Sequence, residues 1–192
     1  VNWVAAGAVA EQVLDASDHD VEIKAHVNRI GDVEADPVSF EQLLANSEEN
    51  DVRCADPEAA AEMQELIEEY QEKGDSIGGS IYFECRGVPR GLGAPRFDGF
   101  PSRLGRAMFS IPATTGVEFG LGKDAVDVTG SERNEDWTFD DGESFDHVES
   151  DEGDPVPEGN DHGGLQGGIT TGEPIYGEAT WHAPTSIPKK QR

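Results

Sequence analysis

Apolar residues recur along this chain with two periods, and the switches between them mark its elements. Trp3, Gly7, Ala10 and Leu14 fall at helical spacing, with Val9 and Val13 flanking the same face, so the chain opens in a helix. From Val21 to Arg29 the period drops to two: Val21, Ile23, Ala25 and Val27 share one side, which predicts a strand. Asp56-Pro57-Glu58 combines a capping side chain, proline at the first helical position and an acid in the first turn. The helix it starts buries Ala60, Met63, Ile67 and Tyr70 and ends at Lys73-Gly74. Ile81, Phe83 and Cys85 alternate with Tyr82, Glu84 and Arg86 in a second strand. Leu104 and Met108 mark a short helix, and Val117-Glu118-Phe119 a third strand. Ile175, Gly177, Ala179, Trp181 and Ala183 point one way in the last strand, with Tyr176, Glu178, Thr180 and His182 opposite. The sum is an α+β chain.

One stretch has neither period. Asp136 to Glu158 carries ten acids, no Lys or Arg, and ends in Pro155-Val156-Pro157. It reads as an acidic mobile loop, because Trp137, Phe139, Phe145 and Val148 lack a sustained spacing.

Charge sharpens the picture. At 192 residues the chain is long enough for one domain with a core. Asp and Glu total 40 against 14 Lys and Arg, a net charge of −26, which argues against a nucleic-acid partner. The acids are spread along the whole chain, as in a halophilic protein whose self-repulsion is screened by salt. No apolar run reaches membrane-spanning length and no signal-peptide pattern is present, so a cytoplasmic protein is expected. Cys54 and Cys85 make neither a disulfide framework nor a metal site. Between Arg86 and Arg106 the charge reverses: Arg86, Arg90, Arg96, Arg103 and Arg106 face only Asp98. Such an island pairs with neighbouring carboxylates or draws in an anion, and structural pairing is the favoured reading.

Candidate chemistry gathers near the end of the chain. Gly163, Gly164, Gly167, Gly168 and Gly172 fall within ten residues, where missing Cβ atoms let backbone approach whatever lies opposite. A turn feeding a hairpin explains such a run without any ligand. After the last strand, Pro184-Thr185-Ser186 offers two hydroxyls and backbone N–H groups to an anion. His19 and His26 read as surface residues, and His147 and His162 as weak candidates for chemistry.

Asn160-Asp161-His162-Gly163-Gly164-Leu165-Gln166-Gly167-Gly168-Ile169, followed by Gly172-Glu173-Pro174-Ile175, resembles the late-middle signature of chorismate synthases. Five further blocks follow the family's order: Gly74-Asp75-Ser76-Ile77-Gly78-Gly79, Gly91-Leu92-Gly93-Ala94-Pro95, Ser110-Ile111-Pro112-Ala113, Gly116-Val117-Glu118-Phe119-Gly120 and Gly130-Ser131-Glu132. The resemblance runs from about Val4 to Gln191. It implies a single partial domain over 1–192, with helices layered with antiparallel sheets in a partial sandwich, in a family of homotetramers.

It also implies a lyase of the shikimate pathway of aromatic amino-acid biosynthesis. The family eliminates phosphate from enolpyruvylshikimate phosphate to give chorismate, using reduced FMN, with NADP as an associated nucleotide. The matching flavin-contact positions are Pro112, Ala113, Gly167 and the loop His182, Ala183, Pro184, Thr185 and Ser186. His182 stands where the family has lysine, which replaces a permanent charge by a titratable one. The family's Gly-Glu-Ser-His-Gly, Arg-Pro-Gly-His-Ala-Asp, Arg-Ser-Ser-Ala-Arg and Gly-Arg-His-Asp blocks have no counterpart among these residues. The resemblance therefore assigns no catalytic residue here, and no metal ligand. A non-catalytic acidic module that binds flavin or a partner is the competing class.

Overall fold

Where local capping chemistry and strand alternation agree, elements form as expected. The computed structural model describes residues 2–17, 19–134, 136–139 and 155–189. Helix α1 spans Asn2–Asp15, α2 Phe40–Asn46, α3 Pro57–Glu72, α4 Phe100–Phe109 and α5 Gly130–Arg133. The strands are β1 Glu22–Ile30, β2 Val33–Glu34, β3 Gly79–Arg86, β4 Thr114–Phe119, β5 Trp137–Phe139, β6 Pro155–Pro157, β7 Leu165–Gln166, β8 Ile169–Thr170 and β9 Ile175–Trp181. The architecture is mixed helix and antiparallel sheet, as expected. Five strands form one sheet in the order β2-β1-β3-β9-β4; β5 pairs with β6 and β7 with β8.

The contacts group into two compact units. The unit of residues 24–84, 104–118 and 177–192 holds most of the five-stranded sheet with α2 and α3. The Asp56 carboxylate accepts from the N–H groups of Glu58 and Ala59 and starts α3, whose Ala59, Ala60 and Met63 are buried with Val52 and Cys54. Val27, Ile30 and Ile67 pack against that cluster. The carboxyl of Asp56 feels burial pushing it up, yet N–H donors from Asp36, Ala59 and Glu58 bring it below its ordinary value. Helix α2 was not expected from apolar spacing. A capping box fixes it, Ser39 accepting from the Gln42 N–H while Gln42 accepts from the Ser39 N–H.

Two sequence readings change here. His26 is 4% exposed rather than a surface residue, while Ile23 on the opposite face of β1 is 54% exposed. The side of β1 that turns inward carries His26 because its Nδ1 accepts the Ala55 N–H at 3.1 Å and its ring meets Tyr82 edge-on. Burial lowers its pKa against the opposing pull of the Asp56 charge. The apolar stripe of α1 forms a helix as read, but no residue of it is buried in this chain.

The unit of residues 1–23, 85–103 and 119–176 contains the Gly-rich run. At the flanks of the expected acidic loop at 136–158, Trp137 pairs with Pro157 and Phe139 with Pro155 in an antiparallel ladder. Residues 140–154, its larger part, lie outside the described residues.

Candidate functional site

The Gly-rich run folds on itself first. Gly167 and Gly168 have φ of 60° and 88°, so they occupy both left-handed central positions of the two-residue turn between β7 and β8. Asn160 closes the approach: its side chain accepts from the Gly164 N–H at 2.6 Å and donates to the Pro174 carbonyl at 2.8 Å. A Cβ on Gly163 would lie 2.4 Å from the Gly120 nitrogen, and one on Gly164 2.7 Å from the Glu173 and Pro174 carbonyl oxygens. Gly163 and Gly164 are therefore spent on backbone packing inside the unit. Gly167 differs, because a Cβ there would meet nothing within 4 Å. Its turn conformation alone requires glycine, and its open face is where another molecule has room.

Thr170 ties this hairpin to the arginine-bearing stretch. It is 1% exposed; its hydroxyl donates to the Pro89 carbonyl at 2.6 Å and accepts the Leu92 N–H at 2.9 Å. Arg90 donates through Nε to the Thr171 carbonyl at 2.9 Å, and Arg103 lies 3.5 Å from the Asp98 carboxylate. Of the arginine island, Arg103 thus pairs with a carboxylate as expected, while Arg90 is held by a backbone carbonyl.

The other predicted positions share the unit of residues 24–84, 104–118 and 177–192. Helix α4 ends at Phe109, and the chain turns through Ser110–Ala113 into β4. Ala113 is held at φ 69°, a left-handed conformation costly for a residue with a Cβ. Its carbonyl accepts the His182 N–H at 3.3 Å, joining the Pro112-Ala113 corner to the loop that follows β9. Pro112, Ala113, His182, Pro184, Thr185 and Ser186 are exposed and Ala183 is half-buried, so the residues form an open shelf. His182 Nδ1 lies 2.7 Å from the Ala183 carbonyl, an acceptor. Nδ1 therefore carries the proton, and Nε2 is the nitrogen left to accept one. Gly167 lies in the other unit, with the Gly-rich run.

The loop is also gripped from beneath. Ser76 donates its hydroxyl to the Pro184 carbonyl, and Lys189 Nζ lies 2.7 Å from Asp75 Oδ2. Lys189, together with the Ser76 N–H, holds the Asp75 carboxyl below its ordinary pKa. Sequence reading assigned no role to Asp75, Ser76 or Lys189. The signal available was the Gly74-Asp75-Ser76 turn, a compact run of donors and acceptors with no evident use in its own strand.

The family model for chorismate synthase matches residues 1–192. The chain belongs to the chorismate synthase family. It is 93% identical over 192 residues to the chorismate synthase of Halorubrum lacusprofundi, covering all of this chain and 49% of that one. Against that of Halobacterium salinarum the identity is 73%, over all of this chain and 48% of the relative. A crystal structure of chorismate synthase superposes with a TM-score of 0.79 at 31% identity, over 94% of this chain and 54% of that one. The chain thus spans about half the length of the curated chorismate synthases it matches. The two segments of the shelf are stretches that resemblance to the family had picked out, and the Ala113–His182 hydrogen bond brings them together. Among the described residues, no helix is long and apolar enough to cross a membrane.

Proposed function

We propose that this chain is the flavin-side portion of an enzyme that eliminates phosphate from enolpyruvylshikimate phosphate to give chorismate. The observation that carries the reading is the strained Ala113 corner, whose carbonyl holds His182. Strain of this kind, at an exposed corner facing a loop rich in donors, is the mark of a site built for a ligand. Bound reduced FMN supplies transient electron density to the reacting ring. The residues fit such a group as a one-sided shelf: Pro112 and Ala113 offer a flat contact, and Pro184-Thr185-Ser186 offers hydroxyl and backbone donors to an anion. His182 Nε2 offers the shelf a hydrogen-bond acceptor where the family's lysine would offer a donor. Gly167 contributes an open backbone face.

The reading extends to a cytoplasmic homotetramer with NADP as an associated nucleotide, in which 1–192 is a single partial domain. The test compares this chain with a longer protein that supplies the remaining half of the family's length, both assayed anaerobically for chorismate with photoreduced FMN at molar KCl. The expected result is turnover only in the longer protein, lowered further by Thr185→Ala combined with Ser186→Ala. Equal turnover by the 192-residue chain would show that the reacting groups lie within it. Flavin binding without turnover in the longer protein would favour a binding module.

A further inference from the structure

We propose that Asp75 and Ser76 are positioning residues: the turn they form sets the shape of the 182–186 loop and so its affinity for the flavin. The inference rests on the flavin reading above and extends it to residues that touch no part of the shelf's outer face.

The geometry is a clamp with three points. Gly78 meets the loop's entry backbone to backbone: a Cβ there would lie 2.7 Å from the Trp181 carbonyl oxygen and 3.0 Å from the Ala183 nitrogen. Ser76 Oγ takes the Pro184 carbonyl at the middle. Asp75 takes Lys189 at the exit, and its other oxygen accepts the Ser76 N–H at 3.0 Å. One carboxylate thus orients the serine and anchors the far end of the loop together.

The middle point has a directional consequence. In a planar trans peptide the C=O and the following N–H point opposite ways. Turning the Pro184 carbonyl toward Ser76 therefore turns the Thr185 N–H away from Ser76. Without the serine hydroxyl the loop loses the middle of its three restraints. The clamp explains why an exposed loop with no regular structure keeps one shape. Pre-set shape is what converts scattered donors into affinity.

The test uses the longer protein that carries this chain, in molar KCl, with FMN as the probe. Ser76→Ala is expected to weaken FMN binding about tenfold, since one hydrogen bond that pre-sets the loop is lost. The KM for flavin should rise in step while kcat at saturating flavin holds. Ser76→Thr, which keeps the hydroxyl, should restore affinity. Asp75→Asn should weaken binding in the same direction with less effect. Hydrogen exchange of the 182–187 amides, followed without FMN, should quicken in Ser76→Ala and return to the parent rate in Ser76→Thr. Unchanged exchange in Ser76→Ala would overturn the clamp whatever the flavin does. Faster exchange with no FMN binding even in the parent protein would keep the clamp as a loop-shaping device and overturn its role in flavin affinity, along with the flavin reading. A fall in kcat with flavin KM unmoved would also overturn the positioning role.

Discussion

The Gly-rich hairpin and the loop after β9 were equally plausible ligand sites by composition, and they are built in opposite ways. In the hairpin the special residues face inward. Gly163 and Gly164 are packed against backbone, and Asn160 and Thr170 are consumed by internal hydrogen bonds. In the 182–186 loop they face outward, and the restraint is supplied from a separate turn at residues 75–78. Dense glycine therefore marks close packing here, while the exposed loop is held by contacts from outside its own sequence.

The sharpest way to break this contrast is Gly163→Ala. The new Cβ would fall 2.4 Å from the Gly120 nitrogen at a residue of φ 63°, so a loss of more than about 3 kcal/mol is expected. Thermal melting at molar KCl measures it, and a fold that accepts the alanine would show that the hairpin is looser than its geometry. Thr170→Val tests the same closed region through hydrogen bonds. Leaving the Pro89 carbonyl and the Leu92 N–H without their shared partner should cost about 2 kcal/mol.

Gly167→Ala asks whether the hairpin's one open glycine behaves like the loop. Only its left-handed backbone opposes the change, so stability should fall by about 1 kcal/mol. Any loss of FMN affinity beyond that would reveal a ligand on its open face.

The smallest effect concerns His26, in the unit that carries the second region. Its folded pKa is lowered by burial, so the stability tied to the neutral ring is present above the unfolded value of about 6.5. That contribution is lost as the pH falls through the lower folded value. Melting temperatures of the parent and His26→Gln from pH 8 to pH 5 should converge or cross on acidification. Parallel curves would show that the ring is not buried neutral.

How much of this was legible depended on the range of the interactions. Asp56-Pro57 and the stripe through Met63 lie within one helix, so α3 could be read directly. The capping box from Ser39 to Gln42 was equally local, but its helix is too short for apolar spacing to announce it. His26 was misread because alternation gives two faces and does not say which is covered; the answer lies 29 residues away, at Ala55. The β5–β6 ladder hid inside an acidic run for the same reason, since its two strands recognise only each other. On the shelf, the candidate residues came from resemblance to a family, while the Ser76–Pro184 and Asp75–Lys189 contacts span 108 and 114 residues. No local pattern encodes those.

The hydroxyl of Thr170 has a consequence for the order of folding. The turn at Gly167-Gly168 joins neighbours and can close within microseconds, as hairpins do. The bond from Thr170 to Pro89 closes a span of 81 residues and carries the entropy cost of bringing distant segments together. The hairpin is thus expected to form early and dock late. If so, weakening Thr170 leaves the folding rate nearly unchanged and instead speeds unfolding, so this residue governs how long the folded unit lasts once made.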